Sequence, residues 1–279
     1  MTHPVESTQE PPTPHPTGRV RWRSVAIPAE HGGWGMLFSP ILLGLLVVPS
    51  VAGLFLALTV IAAFLARTPL KIIWKDRQRG RRYARTAAAI KVLGIYSLVI
   101  LFGLAGALIA GGPLPLVPLF LVLPLAVVVL YFDLLSTSRR LLPELIAPVT
   151  LSAIVASMAL AAGWDWPHTL ALWSIPLMRS IPAVLFVRAR IRLDRDRPAA
   201  VGTAILIHTL ALGLSLVLVW AELIPFLAAV AFFILLVRAA FGLSPYRRES
   251  SIQRLGWSEI VLGLMTVILS AIGYWNMGL

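Results

Sequence analysis

The chain contains no cysteine. That excludes disulfides, thiolate metal sites and cysteine nucleophiles, and it leaves the redox compartment unspecified. Charge is scarce as well: 13% of the 279 residues are Asp, Glu, Lys or Arg, about half the share of a soluble domain. Acids are the scarcer sign, 12 against 24 cations, and there are five histidines. The acid–base and metal-binding chemistry available is therefore narrow. Apolar residues dominate: 58% of the chain is hydrophobic and the mean hydropathy is +0.87. An uncharged run such as 92–130 is what a membrane requires and a soluble surface does not tolerate.

Nine apolar segments can be counted, at about 28–48, 51–73, 91–110, 114–133, 141–163, 168–187, 200–220, 222–243 and 257–276. Each is roughly 20 residues, or about 30 Å of helix. The expected fold is all-α, an integral membrane bundle of nine transmembrane helices. Residues 1–24 read as a Pro-rich cytoplasmic tail without fixed structure rather than a signal peptide. Residues 25–279 read as one transmembrane domain.

Twenty-three of the 24 cations fall between alternate segments, in 19–23, 67–91, 139–140, 188–197 and 238–254. The positive-inside rule then places the N-terminus inside and the C-terminus outside. A net charge of +12 distributed in this way reports topology and argues against a nucleic-acid partner. The remaining cation, Arg179, lies in the middle of the sixth segment. A charge at that depth either pairs with a carbonyl or snorkels, or it lines a cavity.

The segment 67–91 reads as a long polar loop in which Pro69 starts a new helical stretch. Arg67, Lys71, Lys75 and Arg79 recur every four residues, and like charges at that spacing repel unless an anion sits among them. The anion is either a phospholipid headgroup or the phosphate of a lipid-soluble substrate, with Arg82 and Arg85 completing its site. In 188–197, Arg188, Arg192 and Arg195 share a helical face, with Asp194 and Asp196 interspersed. This is either a self-neutralising surface or the second half of the same anion site.

The expected site therefore joins the segments 67–91 and 188–198 over an apolar hollow. Lys71, Lys75, Arg82, Arg85, Arg179, Arg188 and Arg192 are its binding residues, with Arg179 in the floor. Asp76 and Asp194 are the acids available for catalysis or for one Mg²⁺ bridging to a phosphate. His31, which follows Glu30 at the start of the first segment, titrates near neutral pH and is the first candidate for proton transfer. Asp133 closes a helix at its C-terminus, where the dipole disfavours an acid, so it needs a cation, and Arg139 or Arg140 is nearest in sequence. Glu144 and Glu259 read as dipole caps, and His208 as a hydrogen-bonded bundle residue.

The stretches "PAEHGGWGMLFSPILLGLL", "LARTPLKIIWKDRQRGRRYART", "YFDLLSTSRRLLPEL" and "RSIPAVLFVRARIRLDR" resemble the YwiC-like family of bacterial membrane proteins, for which no activity is established. Nine spans, an inside N-terminus and two basic inner segments are also similar to the UbiA-type intramembrane prenyltransferases. That likeness would imply a prenyl diphosphate substrate and Mg²⁺ held by aspartates. In the first aspartate motif of those enzymes Asp76 keeps one acid, while Lys75, Arg79 and Tyr83 replace the other conserved positions. In the second motif Asp194 is kept and Pro198 stands for an acid. An acid-rich mouth has become an arginine-rich one, which suits an anion held directly.

Three functions follow. The first is a non-catalytic binder of a polyprenyl or quinone-type lipid, associated with other membrane proteins. The second is a prenyltransferase-like transferase. The third is a small transporter for an anion or amphiphile.

Overall fold

The computed structural model describes residues 22–28, 31–80, 83–247 and 249–278, with only the backbone of His31 and Gly32. The regular secondary structure among the described residues is all helical. A one-turn helix α1 (Trp22–Ala26) precedes α2 (His31–Val47), α3 (Val51–Gln78) and α4 (Ala84–Gly111). A short 3-10 turn (Leu114–Leu116) leads into α5 (Val117–Leu134), followed by α6 (Leu141–Ala161) and α7 (Trp166–Leu193). The last three helices are α8 (Val201–Trp220), α9 (Phe226–Gly242) and α10 (Ile252–Met277). Seven of them are long and apolar enough to cross a membrane, and two more, Gly33–Val47 and Phe226–Gly242, are apolar but shorter. The chain is a multi-pass membrane protein.

The helices run longer than the hydropathy suggests. At 28 residues each, α3, α4 and α7 span about 42 Å, some two turns more than the roughly 30 Å hydrocarbon core. The excess lies at the basic end. The expected polar loop 67–91 is therefore mostly helix: α3 continues to Gln78 and α4 resumes at Ala84. Pro69 does not start a new helix but sits buried inside α3. Its missing N–H is tolerated because the flanking turns continue the helix. Likewise α7 carries the arginine segment as far as Leu193 before Asp194 closes it.

The bundle is built around α6, which packs on α2, α3, α5 and α7, while α10 fills the space between α2, α7 and α9. The run from Ser152 to Leu160 in α6 is buried on all sides. Association in lipid gains little from the hydrophobic effect, so close van der Waals packing has to supply it. Small residues provide that closeness where α3 meets α4. A Cβ on Gly103 would stand 2.9 Å from the Phe55 carbonyl oxygen, and one on Gly106 would overlap the Phe55 ring. The large apolar side chains left outside, such as Ile95, Leu98, Leu101 and Ile109 on α4, form a surface suited to lipid.

Contacts between turns separate the two ends of the bundle. At one end Trp275 donates its indole N–H to the Leu46 carbonyl (2.8 Å), and the Tyr274 hydroxyl donates to Leu223 (3.2 Å). The other end gathers the cations.

Candidate functional site

At the basic end, three acids each sit between two cations. Asp133, at the end of α5 and 3% exposed, accepts from Arg67 Nε and Nη2 (3.2 and 3.0 Å) and from Lys71 Nζ (2.7 Å). The anion that the four-residue spacing of Arg67 and Lys71 requires is thus supplied by the chain itself. Arg139 and Arg140, the partners expected from proximity in sequence, are not the ones used. Helix α3 packs beside α5 and presents two cations to a carboxylate that its own helix dipole disfavours.

Asp194 is held by both nitrogen–oxygen contacts of Arg190 Nε (3.0 and 2.9 Å) and lies 3.6 Å from Arg247 Nε. Arg190 Nη1 also donates to the Gly242 carbonyl at 2.5 Å, so α7 is tied to α9. Glu259, two turns into α10, pairs with Arg179 of α7 (3.2 Å) and with Arg238 of α9. The Arg179 guanidinium also donates to the Glu259 carbonyl oxygen. The Arg238 guanidinium stacks 3.4 Å from the centre of the Phe186 ring. Each trio retains one unit of positive charge. Arg188 and Glu144 form a one-to-one pair at 2.5 Å, with a further bond from Arg188 to the Arg139 carbonyl.

A fourth acid, Asp76, is fully buried. Arg85 approaches its two oxygens at 2.6 and 3.2 Å, and the Thr86 hydroxyl donates at 2.6 Å. Thr86 accepts in turn from the Tyr83 backbone N–H (3.1 Å), which fixes the start of α4. Beside this knot a cleft of about 430 Å³ opens at the end of the α3–α4 hairpin. Ile73, Ala87 and Ile90 wall it, and Asp76, Arg77 and Tyr83 edge it. The Arg85 guanidinium lies over the Tyr83 ring at 5.0 Å. Its side chain is 49% exposed, so it has donors to spare.

The expected binding residues do not form one site. Lys71 is committed to Asp133, Arg85 to Asp76, Arg188 to Glu144 and Arg179 to Glu259. Arg192 donates to the Pro198 carbonyl (2.6 Å), and Lys75 is half-buried on α3. Arg82, Glu30 and the His31 side chain lie outside the described residues. The cleft beside Asp76 is lined from α3, α4 and the turn between them, whereas Arg179 borders a separate small cavity between α2, α7 and α10. The α5–α6 pair stands between the hairpin and α7, so the two basic segments do not meet over a common hollow.

Glu144 and Glu259 are ion-pair partners and not simply dipole caps, and Glu259 lies too deep in its helix to cap it. His208 is buried, with Nδ1 2.7 Å from the Ala204 carbonyl oxygen, as expected of a bundle residue. Sequence reasoning missed Thr86, Glu259 and Arg238 as partners. The available signal was Arg238 itself, set in the apolar stretch "LLVRAAFG" rather than in a polar loop.

The Mg²⁺ that a prenyltransferase likeness would imply does not fit these residues. The oxygens of Asp76 are taken by Arg85 and Thr86, and those of Asp194 by Arg190, with Arg247 alongside. Among the described residues no three metal-ligating side chains converge.

A family model described as YwiC-like protein matches residues 27–159. This stretch holds α2 to α5, most of α6, the Asp76 cleft and the Asp133 trio. No curated protein and no solved structure matches the chain. Over residues 27–159 the chain is thus similar to YwiC-like protein, and its long apolar helices make it a multi-pass membrane protein.

Proposed function

We propose that this protein is a non-catalytic binder of an isoprenoid or quinone-type lipid in a bacterial plasma membrane. It crosses the bilayer nine times with its N-terminus inside, in a UbiA-like arrangement, and holds the lipid headgroup at the cytoplasmic end of the α3–α4 hairpin. The observation that carries this reading is the 430 Å³ cleft, which is within the usual size range of small-molecule sites. Ile73, Ala87 and Ile90 give it apolar walls, Arg77 edges it, and the half-exposed Arg85 lies close by, over the ring of the lining residue Tyr83. A headgroup there meets guanidinium donors, and its tail runs along the exposed flank of α4 without leaving the membrane. The excess of cations over acids in residues 67–91 favours an anionic or strongly polar head. The prenyltransferase alternative is disfavoured because its carboxylates are engaged by arginines.

Native mass spectrometry of gently extracted protein tests this. Wild type should carry an isoprenoid or quinone-type lipid. Ile90→Trp, which fills the cleft, should lose it, while Leu98→Trp, on the same helix but facing outward, should keep it. Bulk phospholipid alone on the wild type, or retention by Ile90→Trp, would overturn the proposal.

A further inference from the structure

A second polar site lies deeper, where α2, α7 and α10 meet, and it does not depend on the headgroup reading. A cavity of about 10 Å³ is lined by Ser39, Arg179, Ser180, Gly263 and Thr266, and the rest of its wall is apolar. That is the lower limit for one water molecule, so a halide, which is larger, enters only if the lining side chains move slightly outward. Gly263 makes the space. An ideal Cβ there would stand 3.2 Å from Ser39 Oγ and 3.3 Å from Arg179 Nη2, so the hydroxyl and the guanidinium face each other across a missing methyl.

The donors around the cavity are not used up. Arg179 Nε is buried and has no hydrogen-bond partner, in a side chain that is only 9% exposed. The hydroxyls of Ser39 and Ser180 make no hydrogen bond among the described residues, although the Thr266 hydroxyl is spent on the Leu262 carbonyl (2.9 Å). The charge count points the same way. Two guanidiniums, Arg179 and Arg238, share the single carboxylate of Glu259. Uncompensated positive charge at this depth is costly, and a neutral water does not cancel it.

We propose that one halide-sized anion, chloride in the cell, binds in this cavity. It accepts from Ser39, Ser180 and the Arg179 guanidinium, and it completes the charge balance of the Arg179–Glu259–Arg238 trio. Its contacts join α2, α7 and α10, so its occupancy stabilises the packing of those three helices.

The test is the thermal unfolding of purified full-length protein in mild detergent, followed by far-UV circular dichroism. Sodium chloride or sodium bromide is titrated against sodium gluconate at constant ionic strength. Wild type should show a saturable rise in Tm with chloride and with bromide. Ser39→Ala should weaken the apparent affinity roughly tenfold, as expected for one hydrogen bond to a charged group. Gly263→Ala, whose methyl occupies the site, should abolish the response. Arg197→Gln, on the exposed basic surface, should leave it unchanged. No saturable response in wild type means a cavity holding water only and overturns the proposal. A response undiminished in Ser39→Ala places the anion on surface arginines and overturns it equally, whether or not Gly263→Ala folds.

Discussion

Replacing Glu259 by Gln keeps the shape of the side chain and removes one negative charge from between two guanidiniums. The carboxylate side chain is 15% exposed and its partners Arg179 and Arg238 are 9% and 19% exposed, so water replaces little of what is lost. Breaking a buried pair from one side costs about 3–5 kcal/mol, which corresponds to roughly two to four orders of magnitude in the folding equilibrium. Arg238→Met is the informative comparison. It deletes a stacking contact with Phe186, worth about 1–2 kcal/mol, but leaves a balanced Arg179–Glu259 pair. Glu259→Gln should therefore be the more damaging change by at least about 1 kcal/mol, although it alters fewer atoms. The assay is unfolding by titration of SDS into a mild detergent, read by circular dichroism and by the fluorescence of the nine tryptophans. A Glu259→Gln variant within about 1 kcal/mol of wild type, or an Arg238→Met variant that is worse than Glu259→Gln, would refute the view that buried charge governs this corner.

The Asp133 trio should behave more mildly. Arg67 and Lys71 are each 26% exposed, so Asp133→Asn should cost about 1–2 kcal/mol in the same titration, and Lys71→Met less than about 1 kcal/mol because Arg67 stays in place. Raising the salt concentration should shrink the Asp133 penalty more than the Glu259 penalty. At the opposite end, the Asp165 carboxyl accepts from the His168 ring and backbone N–H (2.6 and 3.1 Å), and these bonds hold it below the usual carboxylate range. A depressed folded pKa means that this N-cap stabilises α7 above the unfolded value of about 3.9 and is lost as pH falls through the lower folded value. Amide exchange at His168 should therefore lose protection on acidification below about pH 4, and Asp165→Asn should remove that step.

Composition made the class of molecule legible: long uncharged runs admit only a membrane bundle, and each of the nine apolar segments falls on a helix, seven of them long enough to cross a membrane. Helix ends were less legible. The cations after Arg67 resemble a solvated loop, yet intrahelical bonds continue through them because α3 rises past the apolar layer. Ion-pair partners were the least legible. Arg179 at mid-span announced that it needed a partner, but Glu259 lies 80 residues away in sequence, and Asp133 is 62 residues from Lys71. Such pairings depend on helix rotation and depth, which hydropathy does not encode. The glycine at 263 is similar: nothing local distinguishes it, and its role is set by Ser39 and Arg179 arriving from two other helices.

Helix α4 packs on α3, on the short α1 and on the 3-10 turn, and its outer flank is bare. It is held like a hinged plate along one seam, with Gly103 and Gly106 near the pin and the Asp76 cleft at the free edge. The width of that cleft is set by the angle between two rods, by the Asp76–Arg85–Thr86 bonds that tie them and by α1 packed against both. A thicker or thinner bilayer that tilts α4 would alter the width directly, so the pocket's grip on a headgroup is tied to the mechanics of the lipid around it.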